Sequence, residues 1–397
     1  KQSSRFCPCK KVNDSSLSAI NRDTVVFLFI NGAHHVHHLI LPALNFARIQ
    51  DRYRTVLISG NRANSAIIRK TWQTFDRPDC DIIELPKPFR YWIPNYKHKL
   101  FPPPYSYWKR IQKYIRHAAA VVSTSHEAPK YFAQYDINIP SLIYLYHGTG
   151  TREYGFDPNL DLFDFLLVPG SYHYRRLQET ADIDSSKMQI IGQPKLDWLA
   201  LMQEYQPMLF KNKNPTFYYN PHWDMGLSSI EKWSKPILEY FTINTQYNLI
   251  FAPHPLLQHF KNRNGFIMNF KRPYTANNIL IDLNGSAGLD GTYNAASDVY
   301  IGDVSSTVTE WICHRPRPCV FLNSHGIDWK SNPSYESWSC GNVVTQISDL
   351  SIALETAAHT NEFQAKQESY VQRMVLRDGK SAAEHSATIL FNFLQGK

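Results

Sequence analysis

The chain has 397 residues, of which 43% are hydrophobic, 14% aromatic and 19% charged. That length suits two domains of ordinary size, and a composition so rich in aromatics and poor in charge excludes a disordered or solvating chain. Forty-two Lys and Arg against 34 Asp and Glu leave a formal charge of +8. No run of about 18 apolar residues occurs, so no segment reads as a membrane-spanning helix.

Residues 24–31 (TVVFLFIN) read as a buried strand, followed by Gly32 and a helix to about Gln50. Within Gly32-Ala-His-His-Val-His-His, His34 and His38 stand four apart, as two metal ligands on one helix face would. The Glu of an H-E-x-x-H site is missing, so the cluster reads as acceptor binding or a plain polar helix start, and no metal is expected. A strand over 53–59 and a helix from about Ser65 follow. From Leu85 to Arg116 there is no Asp or Glu, while Lys97, Lys99, Lys109 and Arg110 alternate with Tyr96, Phe101, Tyr107 and Trp108. Three readings fit this stretch: a nucleic-acid groove, an anionic membrane or glycolipid surface, or a solvated loop and helix. No RNP, KH or zinc-finger pattern supports the first, so no nucleic-acid partner is expected.

Strands over 118–124 and 141–146 lead to His147-Gly-Thr-Gly-Thr-Arg-Glu. There Gly148 and Gly150 let a ligand approach the backbone, while His147, Arg152 and Glu153 add a base, a cation and a carboxylate; the plain alternative is a flexible loop. Strands over 165–168 and 188–191 end at Gly192-Gln-Pro-Lys, whose Lys195 could reach a phosphate or substrate carboxylate. The polar stretch 203–215 reads as a linker. After a strand over 216–220 comes Pro-His-Trp-Asp, with Asp224 beside an indole and two residues from His222. An apolar wall raises a carboxylate's pKa or leaves it poorly solvated, which suits an acid or nucleophile, and the alternative is a helix N-cap.

The strand over 248–252 ends in Pro253-His254-Pro255, where two prolines aim the histidine away from the strand end. After strands over 279–282 and 299–301, Asp303-Val-Ser-Ser-Thr opens a helix over 308–313. Ser305, Ser306 and Thr307 at a helix start can surround an anion, or simply cap the helix. Glu310, one turn inside, can accept two ribose hydroxyls. A strand over 319–322 and a final helix over about 382–394 complete the chain. Short β-branched strands alternating with helical stretches predict an α/β fold of two Rossmann-like domains with parallel sheets. The expected boundaries are 1–205, 206–375 and a closing helical segment 376–397.

Cys7, Cys9, Cys80, Cys313, Cys319 and Cys340 show no paired metal-site spacing, so a reducing compartment is expected. Lys1 opens the chain where Met would stand, and no apolar leader run follows. We therefore expect a trimmed chain without a secretory signal.

Together His147-Gly-Thr, Gly192-x-Pro, Asn220-Pro-x-Trp, Pro253-His-Pro and Asp303-x-Ser-Ser with Glu310 resemble the layout of GT-B transferases that use cytidine nucleotides. The CDP-glycerol glycerophosphotransferases of teichoic-acid and capsule synthesis carry a similar series, and the resemblance runs from about Tyr144 to Glu310. Asp224 departs from it, since that family usually has Arg after the Trp. This points to a sister group that the chain resembles more closely, the bacterial retaining β-Kdo transferases of O-antigen and capsule assembly. The resemblance implies CMP-Kdo as donor substrate with no cofactor, a lipopolysaccharide or capsule glycan as acceptor, and a GT-B cleft between an acceptor half and a nucleotide half. It implies that Asp224 is the nucleophile that takes Kdo as a covalent adduct, and that Glu153 holds or deprotonates the acceptor. His254 with Ser305, Ser306 and Thr307 would neutralise the CMP phosphate, with Glu310 on the ribose and Asp303 in the same nucleotide-binding loop. His147, Gly148, Arg152, Lys195 and His222 would bind substrate. The alternative is a CDP-glycerol or CDP-ribitol phosphotransferase. Either enzyme is expected in the cytoplasm, with the basic stretch touching the inner face of the cytoplasmic membrane. Charge reversal at Lys97, Lys99, Lys109 and Arg110 should then reduce sedimentation with anionic vesicles while CMP binding is kept; unchanged sedimentation removes the membrane reading.

Overall fold

The computed structural model describes residues 20–85, 105–205, 208–254, 257, 276–283 and 286–396. The first sheet comprises β1 (Thr24–Phe29), β2 (Arg54–Ser59), β3 (Asp81–Glu84), β4 (Ala120–Ser123), β5 (Leu142–Leu145), β6 (Phe165–Val168) and β7 (Met188–Ile190). The second comprises β8 (Thr216–Asn220), β9 (Asn248–Phe251), β10 (Ile279–Ile281), β11 (Val299–Gly302), β12 (Cys319–Leu322) and β13 (Asn342–Val344). Their orders are β3-β2-β1-β4-β5-β6-β7 and β10-β9-β8-β11-β12-β13. The recorded strand pairings are parallel throughout, beginning with Thr24 beside Arg54 in β1–β2 and Val299 beside Phe217 in β8–β11. Strands such as Thr24–Phe29 are buried along their whole length, which only a sheet covered on both faces allows.

Strand order reverses between β1 and β4 and again between β8 and β11, so each sheet has one crevice at its carboxyl edge. Helix α1 (Val36–Ile49) follows β1 and is buried from Val36 to Phe46, because it lies between the first sheet and other helices. Helix α2 (Pro194–Tyr205) packs against it. Helices α3 (Ser306–His314) and α4 (Gln364–Met374) belong to the second sheet, and α5 (Ala382–Gln395) returns to lie along α1. The return is anchored where the Asp197 carboxylate accepts from Ser381 Oγ at 2.9 Å and from Ala383 N at 2.8 Å. One apolar cluster therefore runs continuously from Val25 and Leu39 through Leu199 and Leu390 to Tyr300 and Trp311.

Two strands were not anticipated, β3 and β13, and each is a sheet edge. Both are very short, and the pairs Ile82-Ile83 and Val343-Val344 are too brief to read as strands. The basic-aromatic stretch also changes character. Residues 86–104, including Lys97 and Lys99, lie outside the described set. Within the helix Tyr105–Ile115, however, Tyr107 and Trp108 are buried in the first domain's core, with Trp108 stacked on Tyr131 at 5.6 Å. These aromatics serve packing and are not a displayed surface. Among the described residues no helix is long and apolar enough to cross a membrane.

The return of the chain passes tightly over the first domain, where Leu376 N donates to Pro169 O at 2.8 Å. A Cβ on Gly170 would run into the Met374 carbonyl oxygen, a backbone atom that cannot turn aside. Gly170→Ala should therefore destabilise the protein by about 1–3 kcal/mol, the usual cost of overpacking. A urea unfolding midpoint identical to that of the parent chain would show that the crossing is looser than described.

Candidate active site

The carboxyl edges of the two sheets face one cleft, which is lined from both halves and opens to solvent around a cavity of about 140 Å³. Every loop on its wall follows a strand: His34 and His38 after β1, His147 and Arg152 after β5, Lys195 after β7, and His222 and Trp223 after β8. His254 follows β9, Gly288 and Leu289 follow β10, and Ser305 to Thr307 with Glu310 follow β11.

Glu310 sits at the centre of the junction between the halves. Its Oε2 lies 2.6 Å from Lys195 Nζ, and its Oε1 lies 3.5 Å from His38 Nε2, with all three side chains buried. Gln193 Nε2 donates to His38 Nδ1 at 2.7 Å, so the His38 proton resides on Nε2, facing the carboxylate. Beside this group the Thr149 hydroxyl donates to the Thr309 hydroxyl at 2.9 Å across the same junction. Gly148 lets the loop pass: its φ is +113°, a backbone conformation that an L side chain resists, and a Cβ there would lie 3.8 Å from Ser306 Cβ.

The remaining lining is crowded with histidines. His147 Nδ1 pairs with the Tyr144 hydroxyl at 3.0 Å, and its ring lies 4.2 Å from that of His35. His35 Nδ1 in turn meets Thr124 Oγ1 at 3.1 Å and Asn31 Nδ2 at 3.3 Å. His222 Nδ1 accepts from Asp224 N at 3.0 Å, and its Nε2 faces Arg152 at 3.3 Å. The rings of His34 and His254 face each other from opposite halves at 6.2 Å. Burial, and then the neighbouring imidazoles and Lys195, hold His34 and His254 down at about 3. Burial and then His126 bring His147 to about 4, and burial and then Arg152 bring His222 to about 4. These imidazoles are neutral at physiological pH, and an arriving anion would favour their protonated forms. Among the described residues no three His, Cys, Asp or Glu side chains are arranged to hold a metal ion.

Besides Gly148, three expected site residues stand apart from the lining. Asp303 lies beneath it, completely buried, with Oδ2 accepting from His222 N at 2.8 Å and Ser229 N at 3.0 Å. Burial pushes its carboxyl up to about 7 against those two bonds, and its work is to hold the loop that carries His222 and Trp223. Asp224 is half-buried, and its Oδ1 accepts from Gly226 N at 3.0 Å within its own turn. Glu153 is exposed at the start of the short helix Glu153–Phe156. At the helix start, Ser305 Oγ accepts from Thr307 N at 3.2 Å and so serves as the N-cap of α3, and Ser305, Ser306 and Thr307 all stand on the lining.

Sequence reasoning missed Tyr218, Gly288 and Leu289 as lining residues. The Gly-Ser-Ala-Gly run after β10 was the available signal for the last two. His34 and His38 were noticed as a cluster, but nothing local says that they face the second sheet.

No family model and no curated protein matches the sequence. Among solved structures the fold is similar to that of the wall teichoic acid polymerase TagF, with 15% identity and a TM-score of 0.63, over 96% of this chain and 91% of that one. Forms of that polymerase in which a histidine is replaced align as well, one of them soaked with CDPG. The fold is also similar to UDP-GlcNAc 2-epimerase from Neisseria meningitidis bound to UDP-GlcNAc, with 11% identity and a TM-score of 0.62, over 94% of this chain and 100% of that one. A third similar structure is the S. aureus MnaA-UDP complex, with 10% identity and a TM-score of 0.58, over 94% of this chain and 97% of that one. The protein thus has a GT-B fold of two Rossmann-like domains.

Breaking a buried ion pair leaves one charge stranded, whereas replacing both partners removes the problem. Lys195→Met should cost about 3–5 kcal/mol of unfolding free energy, and Lys195→Met combined with Glu310→Met should recover most of it. Additive losses in a urea double-mutant cycle would mean that the two groups are not coupled.

Proposed function

We propose that this chain is a transferase that takes a phospho-polyol, of the CDP-glycerol or CDP-ribitol kind, from a cytidine nucleotide and gives it to a hydroxyl of a bacterial surface glycan. The observation that carries this reading is the charge character of the cleft. Arg152, Lys195 and a row of imidazoles line it, and among the described residues its one lining carboxylate, Glu310, is already met by Lys195 and His38. Such a wall suits a diphosphate, whose charge must be matched when the anhydride breaks. The start of α3, with Ser306 and Thr307, supplies a helix dipole and hydroxyls for the leaving phosphate. His147, His222, His254 and Arg152 surround the transferring phosphoryl group. Glu310 retains lone pairs for ribose hydroxyls beside its two cross-junction donors. The likeness to a teichoic acid polymerase over nearly the full length of both chains supports the same reading. No cofactor is needed for this transfer.

A second reading is Kdo transfer from CMP-Kdo through an adduct on Asp224. In its favour, Asp224 is joined to Trp223, which lines the cleft, and its backbone N–H bonds the lining residue His222. It requires Asp224 to leave its own turn and Glu153 to reach the acceptor. The membrane contact of the basic stretch 85–116 and the identity of the acceptor belong to the same proposal.

The readings separate on donor use. Incubation with CDP-glycerol, CDP-ribitol and CMP-Kdo should release CMP from the first two and add a polyol phosphate to the acceptor mass. Asp224→Asn should keep at least about a third of that turnover, because it touches no general acid–base step, which is worth about 100-fold or more. Turnover of CMP-Kdo alone, with loss of transfer in Asp224→Asn and an intact-protein mass raised by one Kdo, would overturn the phosphotransfer reading.

A further inference from the structure

Resting on the cytidine-nucleotide transferase reading, we propose that the Tyr218 hydroxyl, with Gly288 beside it, reads a ribose hydroxyl of the donor and makes the cleft selective for ribonucleotides. Tyr218 lies on β8, one of the two strands at the reversal point of the second sheet. Its ring is packed against Tyr293 at 5.7 Å and Tyr300 at 5.9 Å. Only 2% of the residue is exposed, yet it lines the cleft. The tyrosines around it turn their hydroxyls inward: Tyr219 pairs with Ser229 at 2.9 Å, Tyr293 donates to Asp282 at 2.7 Å, and the Tyr300 hydroxyl is sealed in the core. The Tyr218 hydroxyl has no hydrogen bond among the described residues and is not sealed in. It is a polar tip on an immobile ring, presented to whatever enters.

The surroundings select the group it meets. Burial, and then Asp282, Glu310 and Asp290, push the Tyr218 phenol upward, so it stays protonated and donates. Three carboxylates within electrostatic reach disfavour a phosphate at this corner, and the anion-binding helix start stands apart from it at Ser306 and Thr307. A neutral sugar hydroxyl suits the corner. Facing Glu310 and Tyr218 together, it donates to the carboxylate and accepts from the phenol, so every group is matched. A C–H in its place leaves the phenol unpaired. A base is served less well, because a ring so deeply buried offers no face for stacking.

Gly288, in the short helical turn Ser286–Leu289, is the complement of this hydroxyl. A Cβ there would lie 2.9 Å from Tyr218 Oη, and Tyr293 and Tyr300 keep the ring from swinging aside. Gly288→Ala should therefore cover the hydroxyl and copy Tyr218→Phe, although the phenol is still present.

The test is titration calorimetry of the purified full chain with CMP, 2′-deoxy-CMP and 3′-deoxy-CMP. The parent should bind at least one deoxynucleotide about 100-fold more weakly than CMP, as expected when a buried polar group loses its partner. Tyr218→Phe should weaken CMP binding by about tenfold and binding of that deoxynucleotide by less than about threefold, so the ratio shrinks. Gly288→Ala should shrink the same ratio. Since no protein partner is lost, the thermal midpoint of Tyr218→Phe should stay within about two degrees of the parent's. A purely structural hydroxyl would lower that midpoint and leave the ratio unchanged. If Tyr218→Phe keeps the parental ratio, or alters the preference for CMP over UMP instead, the assignment of Tyr218 fails. If the parent binds no CMP, the transferase reading fails and takes this assignment with it. If the ratios are as expected but no CMP is released from CDP-glycerol or CDP-ribitol, only the transferase reading fails.

Discussion

The buried carboxylate of Glu310 is the constraint on which the rest of the molecule depends. A charge taken out of water must be met by partners of good geometry, and here the partners come from the opposite half: Lys195 from α2, and His38 from α1. Such a pair contributes little net stability, since desolvation consumes much of the attraction. What it does fix is relative position. With α3 held against α1 and α2, the carboxyl edges of both sheets must face each other, and the loop from His147 to Arg152 is stitched across the same seam through Thr149 and Thr309. Gln193 extends the arrangement by setting which nitrogen of His38 carries the proton.

That junction sets the electrostatics of the cleft. Once Glu310 is satisfied by Lys195 and His38, no other lining carboxylate among the described residues offsets the histidines and Arg152. Packing keeps the imidazoles neutral, so they contribute polarity and proton capacity without mutual repulsion. The cleft is thus prepared for anions while remaining stable in their absence. Asp303 works one layer down, where its two backbone bonds hold the loop that carries His222 and Trp223.

Much of the fold is legible in the sequence because its signals are local. A run such as Thr-Val-Val-Phe-Leu-Phe can be buried on both faces only inside a parallel sheet, and the alternation with helical stretches announces the Rossmann pattern. The edge strands β3 and β13 escaped because edges need few apolar residues. The aromatics of the helix Tyr105–Ile115 misled for the opposite reason: Tyr107 and Trp108 are as consistent with a membrane surface as with a core until a partner is known, and the partner is Tyr131. Asp303 and Asp224, whose carboxylates accept backbone N–H groups, share a single cause. A polar side chain beside a strand end can serve a ligand or its own turn, and only the hydrogen-bond partners decide.

By itself, the sequence determined that loops rich in histidine, glycine and hydroxyl residues stand at the carboxyl ends of parallel strands, because strand patterning and turn chemistry act over a few residues. The tertiary structure alone decided which partner each of those side chains meets. Glu310 met by Lys195, His38 oriented by Gln193, and His34 facing His254 are encounters between segments far apart in the chain. No local rule encodes them, since each partner is delivered by the packing of whole helices and sheets.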